Sequence, residues 1–347
     1  MSGPKPHIPL DRNGERLLIH IADPAQTVPT PPVPLPDAEG LSLLLTAAEK
    51  HGVLPTAIRA LGKLIEAPSD APGAEASKAA CEVLEQARLK LAYQTGFQIL
   101  MSHHARRIMA AFTAAGIQGA VVKGAAFAQR LYPDSALRTF TDVDVLICEP
   151  HRRKTLDVMP ALGFELFEFE DRKGKDYHEQ KWLLAGKQDL MIEVHSNLVH
   201  SPKLRGAMSI GYEDVLEAGG GNCSDATALL FVAATHGAIG HQFDRLQHLV
   251  DVMQAARGAA GPVDLDRLAR VSHRCGVRLA IAGALELAGK TFNEPRCLML
   301  AKQLVPSALS RLPGQLLSPE LVVRGQSFNR ARGSWRRNLF RQALRIA

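Results

Sequence analysis

The chain has 347 residues, of which 46% are hydrophobic and only 5% aromatic, and its formal net charge is +6. No apolar run approaches the roughly 18–20 residues that cross a bilayer, which excludes a membrane-spanning helix. Five scattered cysteines with no CxxC pair argue against a disulfide framework or a cysteine-based zinc site. The modest positive charge is compatible with nucleotides, nucleic acid or an acidic partner, and it selects none of them.

The first forty residues contain few structural signals. MSGPKPHIPLDRNG lacks the apolar core of a signal peptide, so we expect a cytoplasmic protein. Arg16–Ile21 is predicted to be a short strand. The proline-rich run Thr27–Asp37 predicts a linker or surface strap in preference to a peptide ligand for a partner domain.

Two helical regions follow. Residues 38–67 show apolar residues at helical spacing, and APSDAPG at 67–73 interrupts the pattern. A long helix is predicted over residues 74–115, with an interruption near Gly96 and a C-cap at Gly116. Its predicted buried stripe consists of Leu84, Leu91, Ile99, Ile108 and Phe112.

The central part of the chain alternates strands and helices. A short helix is predicted after Lys123-Gly124, and another over Arg152–Leu162. The predicted strands are Gly119–Val122, Val143–Ile147, Phe164–Glu170, Lys181–Leu184 and Asp189–His195. This order predicts a small mixed sheet with helices packed on it, which is an α+β fold.

Beyond residue 200 the pattern is helical. Helices are predicted at Asp225–Ala238, with Ser224 as N-cap, and at Leu246–Ala256, Asp264–Cys275 and Arg278–Ala288. The C-terminal SWRRNLFRQALRIA is a basic amphipathic helix. We expect its apolar face to dock on the protein; a membrane surface or nucleic acid are the alternatives.

These patterns divide the chain into five segments. They are an N-terminal segment with the proline-rich linker (1–40), a helical region (41–116), a core with the mixed sheet (117–200), a helical domain (201–310) and a basic tail (311–347).

Two acidic residues stand out on the second predicted strand, in TFTDVDVLI. Residues two apart on a strand share a face, so Asp142 and Asp144 project together while Val143 and Val145 point into a core. Adjacent carboxylates repel each other unless a cation lies between them, and a hard divalent ion such as Mg²⁺ fits that position.

Just upstream, Lys123-Gly124 ends a strand and begins a helix. The N-terminus of a helix offers backbone N–H groups to an anion, typically phosphate. Lys123 can neutralise phosphate charge, and Arg138 can do so from the loop before Asp142; a salt bridge to the acidic residues is the alternative for both.

A family resemblance rests on three segments in order. KGAAFAQRLYPDSALRTFTDVDVLI resembles the signature of the uncharacterised nucleotidyltransferases of the NTP_transf_5 family, with its Lys-Gly pair, Leu-Tyr-Pro, Arg and Asp-x-Asp. MIEVHSNL resembles the family's acidic-x-His strand, and LLFVAATHGAIGHQFDRLQHLVDV resembles its helical block. The resemblance covers roughly residues 85–290.

The resemblance implies a nucleotidyltransferase core of the polymerase-β type. In that superfamily a Gly-Ser or Gly-Gly turn binds triphosphate, and three carboxylates hold two Mg²⁺ ions. Here the turn is Lys123-Gly124-Ala125, which lacks the serine hydroxyl. Asp142, Asp144 and a third carboxylate, for which Glu193 is preferred to Asp189, are then the metal ligands and catalytic residues.

The resemblance also suggests residues that line the substrate. They are His236 and Arg245 in the helical block. His195 shares a strand face with Glu193 and is expected to orient substrate, with a purely structural role as the alternative. His236 and His241, five apart on a predicted helix, do not share a face, which argues against zinc there. Asp251 is expected to pair with a basic side chain.

The expected activity is transfer of a nucleoside monophosphate from an NTP to a hydroxyl or phosphate of a small molecule, peptide or protein. The family's association with biosynthetic gene clusters favours a natural-product or peptide acceptor. A non-catalytic nucleotide- or partner-binding module is the alternative, which the missing Gly-Ser turn would suit. A nucleic-acid acceptor is disfavoured because no aromatic-and-basic stacking platform is present. The sequence does not predict an oligomeric state.

Overall fold

A computed structural model describes residues 10–26, 33–66, 74–168, 178–324 and 335–345 of the protein. The predicted α+β class is confirmed: within the described residues, five strands form one mixed sheet and helices pack around it. Parts of four predicted features lie outside these residues: the proline-rich run, the break at 67–73, the end of the strand predicted at Phe164–Glu170, and both ends of the C-terminal segment.

The helices before the sheet are α1 (Arg12–Ile21), α2 (Ala38–Lys50), α3 (Leu54–Glu66) and α4 (Ala74–Ala114). The strand predicted at Arg16–Ile21 is wrong. Leu17, Leu18 and Ile21 are buried at helical spacing, and the Asp11 side chain accepts a hydrogen bond from Gly14 N at 2.7 Å as the N-cap of α1.

The long helix α4 is continuous through Gly96, so the predicted interruption is wrong. No heavy atom lies within 4 Å of a Cβ built at Gly96. Leu84, Ile108 and Phe112 are buried as predicted, but Ile99 is 66% exposed. Over the 41 residues of α4, the side of the helix that faces the core changes, so no single stripe of residues is buried along its whole length.

The sheet has the order β1-β2-β5-β4-β3. Its strands are β1 (Gly119–Val122), β2 (Asp142–Ile147), β3 (Phe164–Glu168), β4 (Glu179–Leu184) and β5 (Lys187–His195). The central pair, β2 and β5, is parallel, and the other three pairs are antiparallel. Between β1 and β2 lie α5 (Gly124–Leu131) and a 3₁₀ turn (Ser135–Leu137); between β2 and β3 lie a 3₁₀ helix (Glu149–Lys154) and α6 (Thr155–Ala161).

The remainder of the described chain is helical. The helices are α7 (Pro202–Arg205), α8 (Tyr212–Ala218), α9 (Ala226–Thr235), α10 (Leu246–Arg257), α11 (Leu265–Arg274), α12 (Arg278–Phe292), α13 (Pro295–Leu304), α14 (Pro319–Val323) and α15 (Trp335–Ala343). A π-helical turn (His236–His241) continues α9, and a 3₁₀ helix (Leu309–Leu316) precedes α14. The N-cap of α9 is Asp225 and not the predicted Ser224, because the Asp225 side chain accepts from Thr227 N.

The sheet separates two apolar cores. One face, with Val143, Val145 and Ile192, packs in a cluster with residues of α4 and α6. A larger cluster combines residues of α1–α3 with those of α8–α13. Val122 and Leu146 belong to that larger cluster, so the sheet's second face looks toward the helical part of the chain. The polar residues of interest lie on this second face.

The C-terminal helix α15 docks on the protein, as predicted. Phe340 is fully buried, and the guanidinium of Arg337 donates hydrogen bonds to the carbonyl oxygens of Gln242, Phe243 and Leu321 at 3.2–3.3 Å. None of the helices in the described part of the chain combines the length and the apolar character that crossing a bilayer requires.

Candidate active site

A strained turn connects β1 to α5. Lys123 has φ 61° and ψ −147°, a backbone region that is nearly restricted to glycine. Gly124 also has positive φ, and a Cβ built there would lie 3.4 Å from the carbonyl oxygen of Asp142. Because the first amides of a helix have no intrahelical acceptor, this turn presents N–H groups beside the start of β2. It is chemically suited to an anion.

The side chain of Lys123 is buried against β2. Its Nζ lies 2.6 Å from Asp144 Oδ1, and both side chains are less than one-tenth exposed. Burial alone would lower the pKa of Lys123, but the Asp144 carboxylate raises it above its usual value. Burial likewise opposes ionisation of Asp144, yet Lys123 and His195 hold the pKa of that carboxyl well below its usual range. The pair is therefore ionised.

Three carboxylates share one face of the central strands. Asp142 and Asp144 alternate with buried valines on β2. The parallel register places Glu193 of β5 directly opposite Asp144, and Met191 opposite Asp142. Burial, together with the Asp144 carboxylate, raises the pKa of Asp142 to about 6. The prediction that the two aspartates project together is thus matched by the geometry, and Glu193 adjoins them.

His195 lies behind the carboxylates. Its side chain is fully buried, and its Nε2 is 2.9 Å from Asp144 Oδ1 and 3.6 Å from Glu193 Oε2. Asp144, Glu193 and His195 each offer a ligand atom within 4.8 Å of the others, a spacing that a metal ion can bridge. Asp142 lies outside that group of three but on the same strand face.

A second row of polar residues, on β4, was not predicted from the sequence. Lys181 lies opposite Glu193, with its Nζ 2.9 Å from Glu193 Oε1 and 3.2 Å from Glu179 Oε1. His200, after β5, places Nδ1 3.1 Å from Glu179 Oε2. The sequence did contain a signal for them. Glu179 and Lys181 are two residues apart in EQKW, so on a strand they share one face, as Glu193 and His195 do in MIEVH.

Arg138 is buried in a network that joins the turn to α10. Its Nε and Nη2 each lie 2.8 Å from a different oxygen of Asp251, and its Nη1 donates to the carbonyl oxygen of Gly124 at 3.1 Å. The Tyr132 hydroxyl donates to Asp251 at 2.8 Å. Burial and Asp251 raise the pKa of Tyr132, so the phenol stays a donor. The interpretation that Asp251 pairs with a basic side chain is confirmed.

A small cleft opens beside the turn. Lys123, His200 and His236 are among the residues that line it. His236 was predicted to line a substrate, and the structure brings it to the same cleft as Lys123. Arg245, predicted for the same purpose, is exposed at the residue before α10 and is not among the lining residues of this cleft.

The sequence was compared with models of known protein families. A sequence model of the family described as uncharacterised nucleotidyltransferase matches residues 37–293. The chain belongs to this nucleotidyltransferase family. Comparison with curated proteins and with solved structures finds no significant match. The family match confirms the resemblance seen over residues 85–290 and extends it to α2 and α3.

One expectation for the helical block of this nucleotidyltransferase is wrong. His236 and His241 do share a face, with ring centroids 4.6 Å apart, because the segment between them is π-helical and not α-helical. In a π-helix, residues five apart come one above the other. Burial lowers the pKa of His236 well below its usual value and that of His248 to about 4, so both imidazoles are neutral near pH 7.

Proposed function

We propose that this protein is a Mg²⁺-dependent nucleotidyltransferase that moves a nucleoside monophosphate from an NTP to a hydroxyl or phosphate acceptor. The observation that carries the proposal is the contact between the Lys123-Gly124 turn and the carboxylate face of β2. An anion-binding turn and a set of buried carboxylates adjoin one another, as a metal–triphosphate substrate requires.

The donor set fits Mg²⁺. Around the cluster, the four carboxylates of Asp142, Asp144, Glu179 and Glu193 face the two ammonium groups of Lys123 and Lys181, which leaves two negative charges for a divalent ion. Burial, and after it the neighbouring Asp144 carboxylate, raise the pKa of Asp142 to about 6. Asp142, Asp144 and Glu193 would hold the metal through hard oxygen ligands. When bound, two Mg²⁺ ions would stabilise charge on the attacking and leaving oxygens.

The turn would bind the triphosphate. The backbone N–H groups of Gly124 and Ala125 lie at the start of α5, where they lack intrahelical acceptors, and Lys123, which lines the cleft, supplies a positive charge beside them. In the present structure that charge is neutralised by Asp144. When nucleotide is bound, the Lys123 ammonium would pair with a phosphate oxygen in place of Asp144, whose carboxylate would hold the metal.

Arg138 supports this turn. Both ends of its guanidinium are engaged, by Asp251 and by the carbonyl oxygen of Gly124. A direct phosphate contact by Arg138, as predicted from sequence, would require it to give up one of these bonds. We therefore assign it first to positioning Gly124.

The reaction needs a base and a leaving group. The acceptor oxygen forms a bond to the α-phosphorus, the bond from that phosphorus to the bridging oxygen breaks, and pyrophosphate leaves. Glu193 would accept the acceptor's proton. His195, which contacts Asp144 and Glu193, would orient both carboxylates, and His236, which lines the cleft, would lie toward the acceptor.

Transfer of label from α-labelled NTPs tests the proposal. Purified protein is incubated with Mg²⁺, each labelled NTP in turn, and an extract from the source organism. The expected result is a labelled product formed by the wild type and not by the Asp142→Asn, Asp144→Asn double variant; the product identifies the acceptor. If wild type and double variant transfer label equally, the proposal is wrong. Binding of NTP without transfer would favour the alternative of a non-catalytic nucleotide-binding module.

A further inference from the structure

Three histidines converge where α9 gives way to α10. The ring centroids of His236, His241 and His248 lie 4.6, 5.2 and 4.5 Å apart in pairs. The carboxylate of Asp244 completes the group, with its Oδ1 3.1 Å from His248 Nε2 and 3.6 Å from His241 Nδ1. We call these four residues the histidine cluster. None of them is one of the sheet's carboxylates.

The backbone adopts unusual geometry to form this cluster. A π-helical turn brings His236 and His241 together, and the next two residues, Gln242 and Phe243, both have left-handed φ near 52°. Neither is glycine, so the conformation is strained and must be held by its surroundings. Phe243 is fully buried, and Arg337 of α15 donates hydrogen bonds to the carbonyl oxygens of both residues.

The spacing of the cluster suits a tetrahedral metal ion. With metal–ligand bonds of about 2.0–2.1 Å, tetrahedral ligand atoms are separated by roughly 3.3 Å. The two distances from Asp244 Oδ1, 3.1 and 3.6 Å, bracket that value. Ligand atoms of His241, Asp244 and His248 all lie within 4.8 Å of one another. His236 is outside that group of three, but its ring centroid lies 4.6 and 5.2 Å from those of His241 and His248, so its imidazole would complete the site as a fourth donor.

The cluster also contains a buried polar atom without a partner. His248 is 6% exposed, and its Nδ1 has no hydrogen-bond partner in the described part of the protein. The other ring nitrogen of His248, Nε2, is the one that faces Asp244, at 3.1 Å; a 180° rotation of the ring exchanges each nitrogen with a carbon. Burying an unpaired nitrogen is unfavourable unless something binds it.

We propose that His236, His241, Asp244 and His248 bind a transition-metal ion of the zinc class at a site separate from the carboxylates of β2 and β5. Imidazole nitrogens favour zinc over magnesium, which takes oxygen ligands. The ion would fix the His236 imidazole, which lines the same cleft as Lys123. The site does not depend on nucleotidyl transfer, so the two proposals fail independently.

Zinc binding by the full-length protein tests this. The protein is stripped with a chelator, loaded with Zn²⁺ and desalted. Bound zinc is then counted by mass spectrometry, and its Kd is measured by competition with a chromophoric chelator. The wild type should retain one zinc per chain. His241→Asn, whose side chain is 40% exposed and therefore tolerant of replacement, should weaken binding by at least about 100-fold.

Three control variants test whether the ion binds at the histidine cluster or elsewhere. His200→Asn disrupts one of the two other histidine-containing groups, which lie near the sheet, and Asp142→Asn with Asp144→Asn removes the carboxylates of β2, including the Asp144 of the second group. His273→Asn removes an exposed histidine on α11. All three should bind zinc as the wild type does. A wild type that retains no zinc would overturn the proposal. So would zinc that survives His241→Asn, or zinc that is lost in His200→Asn or in the aspartate variant.

The absorption spectrum of bound Co²⁺ provides a second measurement, which does not depend on counting bound metal ions. Co²⁺ bound by imidazole and carboxylate ligands in tetrahedral geometry gives visible absorption bands, which His241→Asn and Asp244→Asn should each abolish. Bands that are unchanged in both variants would contradict ligation by the cluster, even if the protein binds the metal elsewhere.

Discussion

Lys123 and Asp144 form a buried ion pair, 2.6 Å long, between the turn after β1 and the middle of β2. Lys123 adopts a backbone conformation that lysine rarely occupies, and the pair holds it there. Strain of this kind persists where the surrounding structure requires it. The pair thus joins the two parts of the proposed site, the phosphate-binding turn and the metal-binding strand, before substrate arrives.

Substitution of Lys123 separates backbone strain from charge. Lys123→Ala and Lys123→Gly both remove the ammonium that pairs with Asp144, but only glycine relaxes the strained φ and ψ. We expect Lys123→Gly to be more stable than Lys123→Ala by about 1–2 kcal/mol in urea unfolding. Both should lose NTP affinity because the charge is gone. An alanine variant as stable as the glycine variant would show that the turn is not strained.

The Arg138–Asp251 bridge should be a large contributor to stability. Asp251→Ala leaves a buried guanidinium without its partner, which costs about 3–5 kcal/mol in free energy of unfolding. Tyr132→Phe, the control, removes one hydrogen bond to the same carboxylate and should cost about 1 kcal/mol.

A double variant tests the explanation for that loss. Arg138→Met with Asp251→Leu replaces both charges by apolar groups and should be more stable than Asp251→Ala alone. The double variant should bind nucleotide more weakly than the wild type, because the carbonyl oxygen of Gly124 has lost its hydrogen-bond donor. A double variant that is no more stable than the single one would contradict this account of the bridge.

The choice of Glu193 over Asp189 can be tested directly. Glu193 adjoins Asp144 and His195, whereas Asp189 is exposed near the start of β5. Glu193→Gln should reduce transfer by at least about 100-fold, the scale for losing a metal ligand or base. Asp189→Asn should retain near-normal rates. Similar losses in both variants, measured as initial rates of label transfer, would contradict the assignment.

The elements of the sheet could be predicted from sequence, but their pairing could not. Alternation in DVDVLI and DLMIEVH indicates two strands, each with one acidic face. Nothing in either pattern shows that β2 and β5 are parallel neighbours. That pairing, which places Glu193 opposite Asp144, depends on the long connection between the strands and on the helices packed against the sheet.

Lys181 shows why local reasoning missed part of the site. Counting back along a regular hairpin from the Leu184–Lys187 pair would place Lys181 opposite Leu190. An irregularity between Leu183 and Leu184 shifts the register, so Lys181 lies opposite Glu193 instead. Tertiary packing determines such a shift, and no residue of the turn indicates it in the sequence.

Contacts between distant segments were equally inaccessible. Arg138 and Asp251 are 113 residues apart, and only the folded chain shows that they form a bidentate pair. The π-helical turn at His236–His241 also follows from its surroundings, since the sequence reads as a plain continuation of α9. The division of the chain into five segments stays a prediction. In the structure, the larger apolar core joins the first helices to the last ones.

Nucleotide binding by the purified protein tests the central claim most directly, because it needs no acceptor. NTP is titrated into wild type and into the Asp142→Asn, Asp144→Asn double variant, with and without Mg²⁺, in a calorimeter. We predict saturable binding by the wild type that requires Mg²⁺ and is lost in the double variant. Binding that is indifferent to both the metal and the two aspartates would contradict the claim that the turn at Lys123 and the carboxylates of β2 form one site.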